Sequence, residues 1–133
     1  MDTQKVLIVD DDVNITDVLR RVLARPGRRV MVANDSLEGF KTALDERPDL
    51  VILDVMMPGM SGRDVCWALR AEPTTRDTPI MMLSALNEPD DEVTGLQAGA
   101  DTYASKPFDP GELSARVDGL LKARQAARPP VPC

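Results

Sequence analysis

Leu50-Val51-Ile52-Leu53-Asp54-Val55-Met56-Met57-Pro58-Gly59 is the stretch that decides the fold. An apolar run of strand length ends on one carboxylate, and Pro58-Gly59 then breaks the chain. Unbroken apolar residues, with no polar alternation, predict a strand buried on both faces, as in a parallel sheet. In such sheets the ligand crevice lies beyond the carboxyl ends of the strands, which is where Asp54 falls. A lone carboxylate there can be a metal ligand, a nucleophile or a helix cap, and its neighbours must decide between them.

Working outward, Val6-Leu7-Ile8-Val9 is a second strand of this kind, followed directly by Asp10-Asp11-Asp12. Ile15, Val18, Leu19, Val22 and Leu23 then form one helical stripe, which Pro26-Gly27 stops. Arg29 to Ala33 reads as a weaker strand. Ser36 is placed to cap a helix with Leu37, Phe40 and Leu44 inward, ending before Pro48. Beyond Gly59, Ser61 and Asp64 resemble a capping box opening a helix with Val65, Ala68 and Leu69 inward. Trp67 and Cys66 flank that stripe, and Trp67 is expected to be partly buried.

After the polar loop Pro73–Pro79, Ile80-Met81-Met82-Leu83 is a fourth strand, ending at Ser84-Ala85. Asp90, Asp91 and Glu92 fill the first turn of another helix, with Val93 and Leu96 inward and Gly99 as terminator. Thr102-Tyr103-Ala104 is a short fifth strand leading to Ser105-Lys106-Pro107-Phe108. Asp109, Pro110 and Glu112 start the last helix, with Leu113, Val117, Leu120 and Leu121 inward. Strands alternating with helices, five of each, predict an α/β fold with a parallel sheet and right-handed crossovers. Strand order does not follow from this pattern. Residues 1–124 read as one domain and residues 125–133, rich in proline, as a tail or linker.

Bulk composition narrows the function. The 133 residues are 43% hydrophobic and 29% charged, as in an ordinary globular domain with its own core. A net charge of −6 argues against direct nucleic-acid binding by this domain. Cys66 and Cys133 lack metal-ligand spacing and read as reduced thiols. The apolar runs fall short of a membrane span and the N-terminus lacks a signal pattern, so a cytoplasmic location is expected. With no histidine in the chain, a histidine base, histidine metal ligand or phosphohistidine on this protein is excluded.

Aligning the strand ends gathers Asp10, Asp11 and Asp12, then Asp54, Ser84 and Lys106, along one edge. Like charges ~4 Å apart repel by on the order of 4 kcal/mol at an effective dielectric near 20, so such a cluster calls for a cation. Oxygen-only ligation by few protein groups suits Mg²⁺, which keeps waters and is often completed by a phosphate. Lys106 can neutralise a carboxylate or phosphoryl oxygen, and Ser84 can donate to the latter. Acids, hydroxyl and lysine together are what an aspartyl-phosphate site requires.

The chain resembles the receiver domain of bacterial two-component response regulators over about residues 4 to 124. The resemblance rests on Val9-Asp10-Asp11, on Asp54-x-x-Met57-Pro58-x-x-x-Gly62, on Ser84-Ala85, and on Lys106-Pro107-Phe108 preceded by Gly99-Ala100-Asp101-x-Tyr103. It implies a flavodoxin-like (βα)5 fold with a five-stranded parallel sheet of order 2-1-3-4-5, helices lying on both faces. It implies phosphorylation of Asp54 by a histidine kinase or histidine phosphotransfer protein. Asp11, Asp54 and the Met56 backbone carbonyl would ligate Mg²⁺ directly, and Asp10 would act through a bound water. Ser84 and Lys106 would contact the phosphoryl group, across a cis Lys106–Pro107 bond.

Ser84 and Tyr103 would then form a switch moving the face built from the fourth helix, fifth strand and fifth helix. Such a domain catalyses only its own phosphorylation and dephosphorylation. Its further partners would be an effector domain beyond the linker and a second copy, in a homodimer formed on phosphorylation. Apolar Met56 and Leu86, at positions that tune phosphate lifetime in this family, predict slow hydrolysis. The main alternative is a haloacid-dehalogenase-like phosphatase with Asp10 as nucleophile and Asp12 beside it, although Asn14 departs from that pattern and Asp54 is then unexplained. A flavin-binding electron carrier is disfavoured because three aspartates would repel the cofactor's phosphate. A purely structural interaction module would bind no Mg²⁺.

Overall fold

The computed structural model describes residues 4–85 and 99–127. Strand β1 (Gln4–Val9) is followed by α1 (Val13–Leu23), β2 (Arg28–Ala33), α2 (Ser36–Glu46), β3 (Leu50–Asp54), α3 (Gly62–Ala71), β4 (Ile80–Ala85), β5 (Thr102–Lys106) and α4 (Pro110–Ala127). The five strands form one parallel sheet in the order β2-β1-β3-β4-β5. This is the flavodoxin-like order that the resemblance implies. The helix expected over Val93 and Leu96 lies outside the described residues, as does Leu86.

Both faces of the central strands are buried, as their unbroken apolar runs require. Leu7, Val9, Val51, Leu53 and Met82 pack with Val65 and Leu69 of α3 and Ala43 of α2. Val6, Ile8, Ile52, Met81 and Leu83 point the other way, onto Leu19 and Leu23 of α1 and Leu113, Val117 and Leu121 of α4. The pleat thus divides each strand between two cores, and the strand ends are left to carry polar groups.

Several helix faces differ from expectation. In α1, Thr16 is buried and Val18 is exposed, so the inner stripe is narrower than the apolar pattern. Asp35, not Ser36, caps α2, its carboxylate accepting from Glu38 N at 2.8 Å. Ser36 is thereby the first helical residue and is buried. Leu37 is 54% exposed while Ser36, Gly39 and Ala43 face inward, and Phe40 packs half-buried against the core as expected. The Ser61–Asp64 capping box of α3 is present. Its inner face holds Val65, Cys66 and Leu69, and Trp67 is 70% exposed, against the expectation of partial burial. Strand β5 continues to Lys106, and α4 continues to Ala127.

Candidate functional site

The carboxyl ends of β1, β3, β4 and β5 meet at one edge of the sheet, so strand geometry alone brings the polar residues together. Carboxylate oxygens of Asp10, Asp11 and Asp54 all lie within 4.8 Å of one another. Asp12 stands apart from this group and caps α1, its carboxylate accepting from Asn14 N. Asp10 is fully buried. Its Oδ1 accepts from Asp12 N at 2.9 Å, and Asn34 Nδ2 donates to its carbonyl at 2.9 Å, which fixes the turn between β1 and α1. Lys106 Nζ lies 2.9 Å from Asp10 Oδ2 and 3.2 Å from Asp54 Oδ1. Met56 N also donates to Asp54 Oδ1, at 3.3 Å.

These contacts set the charges against one another. Burial and the neighbouring Asp10 push the Asp54 carboxyl up to about 6, and Lys106 and Met56 N only partly offset them. Burial pulls the Lys106 ammonium down, but bonding to Asp10 and the charges of both carboxylates outweigh it, so the net shift is upward. One lysine therefore serves two buried acids, with the exposed Asp11 carboxylate close by. Asp10 Oδ2 is buried and has the Lys106 ammonium as its partner at 2.9 Å. An all-oxygen donor set of three carboxylates with one lysine to offset them carries surplus negative charge and fits a small hard divalent cation.

Ser84 and Tyr103 enter from the neighbouring strands. Leu83 is the register partner of Asp54, and buried Ser84 follows it, level with Ser105. Ala85 is level with Lys106, so the β4 and β5 ends reach the crevice together. Tyr103 is half-buried against the core on the α2 and α3 side, and Arg116 donates to its carbonyl at 2.7 Å. The Met56 side chain is exposed. The Lys106–Pro107 bond is cis.

Two glycines matter here that side-chain chemistry does not flag. A Cβ on Gly62 would stand 2.1 Å from the Asp54 carbonyl oxygen, and one on Gly39 would stand 2.6 Å from a Val9 methyl. Each lets a helix press on the backbone next to an acid. Gly62 belongs to the motif quoted above, whereas the only trace of Gly39 in the sequence is a glycine inside a helix, where it lowers stability.

A parallel sheet of this order with three acids and a lysine at its carboxyl edge defines a receiver-type signalling domain. The chain belongs to the response regulator receiver domain family, which it matches over residues 6–118. It is 44% identical over 126 residues to the alkaline phosphatase synthesis transcriptional regulatory protein PhoP of Bacillus subtilis, a match covering 95% of this chain and 52% of PhoP. It is 45% identical over 124 residues to the DNA-binding response regulator MtrA of Mycobacterium tuberculosis, covering 92% of this chain and 53% of MtrA. The chain thus spans about half the length of these relatives. Among solved structures, the chemotaxis response regulator CheY4 of Vibrio cholerae superposes with a TM-score of 0.82 at 33% identity, covering 89% of this chain and 98% of CheY4. No helix among the described residues is long and apolar enough to cross a membrane.

Proposed function

We propose that Asp54 accepts a phosphoryl group from a phosphohistidine on a kinase or phosphotransfer protein and that this sets the signalling state of the domain. One observation carries the reading. A single lysine bridges two buried carboxylates, Asp10 at 2.9 Å and Asp54 at 3.2 Å, and Asp11 completes the cluster. In the transfer, an Asp54 oxygen attacks phosphorus. The new P–O bond forms as the P–N bond to the donor imidazole breaks, and the nitrogen leaves with the electron pair. This chain has no histidine, so the imidazole belongs to the partner.

Asp11, Asp54 and the Met56 carbonyl would hold Mg²⁺, with Asp10 acting through a water. When bound, the cation supplies positive charge to the crowded acids and to phosphoryl oxygens. Lys106 neutralises charge that reaches Asp54, and the Ser84 hydroxyl donates to a phosphoryl oxygen. Tyr103, packed between β5 and the core, reads the change as a shift between existing conformations. Catalysis by this chain is confined to its own phosphorylation and dephosphorylation. That PhoP is a transcriptional regulatory protein and MtrA a DNA-binding response regulator supports an output domain reached through residues 125–133 in a longer protein, and pairing of two phosphorylated copies is part of the same reading.

Intact mass after incubation with acetyl phosphate and Mg²⁺ tests the assignment. The wild type gains one phosphoryl group and Asp54→Asn gains none; a gain in the variant refutes it. The exposed apolar Met56 offers no group to orient an attacking water, so phosphoaspartate hydrolysis is slow. Met56→Asn combined with Leu86→Glu shortens its lifetime, and an unchanged release time course removes this explanation. The phosphatase alternative is disfavoured because it leaves Asp54, gathered with Asp10, Asp11 and Lys106, without a role. Turnover of phosphate monoesters lost in Asp10→Asn and kept in Asp54→Asn would restore that alternative.

A further inference from the structure

The first turn of α2 touches the surroundings of both acidic loops. Ser36 is buried, and its hydroxyl donates to the Met60 carbonyl at 2.5 Å while lying 4.0 Å from Met57 Sδ. One turn further on, Gly39 lies so close to Val9 that a Cβ would stand 2.6 Å from its methyl. Val9 immediately precedes Asp10, and Met57 and Met60 lie in the loop that follows Asp54. That loop is tied to its own flanks by Met56 N on Asp54, by Gly62 N on Val55 O at 2.9 Å and by the Ser61–Asp64 cap. Ser36 ties it instead to a separate helix. The loop also turns through Gly59 at φ +80°, where the backbone is least constrained by side-chain sterics, so a bond from outside has most to fix.

We propose that Ser36 is a positioning residue for the acceptor site. Through the Met60 carbonyl it holds the loop after Asp54. With Gly39 seated on Val9, it sets the spacing between that loop and the one bearing Asp10 and Asp11. The inference rests on the acceptor reading of Asp54. It adds that α2, which contributes no charged group to the crevice, determines how well the two halves fit one divalent cation.

The test uses Ser36→Ala, with Leu37→Ala as a control on the exposed side of the same turn. Mg²⁺ binding is measured by calorimetry, and amide exchange of Gly62 and Ile52 is followed without added metal. In Ser36→Ala the Mg²⁺ Kd rises roughly three- to tenfold, less than the 10–100-fold typical of groups bonded directly to a ligand. Gly62 exchanges about tenfold faster while Ile52 in the sheet is unchanged, as for a local opening. Leu37→Ala alters neither. Ser36→Cys, which keeps the bulk with a weaker donor, falls between wild type and alanine and serves if the alanine variant does not fold. Unchanged Mg²⁺ affinity in Ser36→Ala, or equal acceleration of Gly62 and Ile52, overturns the positioning role while leaving the acceptor reading intact. A wild-type protein that binds no Mg²⁺ overturns the acceptor reading, and the spacing role falls with it.

Discussion

Replacing Gly62 by alanine probes the contact between α3 and the acceptor strand. The added Cβ would meet the Asp54 carbonyl oxygen at 2.1 Å and both Asp54 C and Val55 Cα at 2.9 Å. All three are backbone atoms of a buried strand end, so no side chain can swing aside. Ordinary carbon–oxygen contacts begin near about 3.3 Å, so the start of α3 must retreat by roughly 1 Å. The Gly62 N to Val55 O bond, now 2.9 Å, lengthens as it does so. Overpacking of a core typically costs about 1–3 kcal/mol, and the weakened hydrogen bond adds about 1. A gain in helix propensity of at most about 1 kcal/mol offsets part of this. The net loss is about 3 kcal/mol, a large share of the roughly 5–15 that holds a domain together. With a urea m-value of about 1–3 kcal/mol/M, the midpoint falls by on the order of 2 M. Gly119 in α4 is the control, since nothing lies within 4 Å of its Cβ position. Gly119→Ala raises stability by up to about 1 kcal/mol. Urea unfolding followed by far-UV circular dichroism reads both, and phosphorylation by acetyl phosphate reads the displacement of Asp54. A Gly62→Ala protein with wild-type midpoint and wild-type phosphorylation refutes the close-packing argument.

Other perturbations have equally definite outcomes. Asp54 titrates near about 6 in the fold, above the ordinary 3.8, because burial and Asp10 oppose its charge. The folded state therefore holds a proton that the unfolded chain has lost between these values, and wild-type stability falls as pH rises through that window. Without Mg²⁺, Asp54→Asn is more stable than wild type above about pH 6, and the difference vanishes near pH 4 in thermal melts. Asp118 is driven below the usual carboxylate range: burial raises it, but Arg28 at 2.9 Å and Arg25 at 2.8 Å outweigh that effect. Asp118→Ala removes the charged partner of the nearly buried Arg28, which keeps the Leu23 carbonyl and Gln4 as its remaining acceptors, and costs on the order of 2 kcal/mol in urea unfolding at neutral pH, a loss that shrinks in acid as the wild-type carboxylate is protonated. Burial pushes the Cys66 thiol up to about 11. In a Cys133→Ser background, labelling of Cys66 by a disulfide reagent proceeds only as fast as the protein opens, and rapid labelling under native conditions contradicts its burial.

The sequence showed the strands more clearly than the helix faces, for a physical reason. Val6–Val9, Leu50–Leu53 and Ile80–Leu83 are unbroken apolar runs with polar residues at their ends, a pattern produced only by burial on both faces. The acids were legible because they sit at those ends, where a parallel sheet leaves its crevice. For α2, Asp35 and Ser36 are both competent caps, and local preference does not choose between them. The choice falls to packing, which buries Ser36 and sets Gly39 against Val9. Trp67 misleads because bulk and hydrophobicity predict burial, yet the neighbouring small Cys66 takes the core position of α3. Strand order came from motif resemblance and not from periodicity, since any order of buried strands yields the same apolar runs.

The forces that hold the acidic crevice together come from its surroundings rather than from the acids. Three carboxylates lie within 4.8 Å of one another with one lysine bridging two of them, and burial, followed by the charge of Asp10, opposes ionisation of Asp54 and raises its carboxyl to about 6. What keeps them close is backbone packing: α3 rests on the Asp54 carbonyl through Gly62, α2 rests on Val9 through Gly39, and buried β1 and β3 are held in register from Val6↔Leu50 to Val9↔Leu53. Stability drawn from two apolar cores thus maintains an electrostatic arrangement that would not persist alone. Added positive charge at this edge should bind without reorganising the sheet, because the ligand oxygens are already gathered. Removing one acid should stabilise the fold while abolishing that binding. Opposite signs for stability and binding in Asp54→Asn would mark a crevice built for a ligand, whereas losses in both would mark an ordinary structural ion pair.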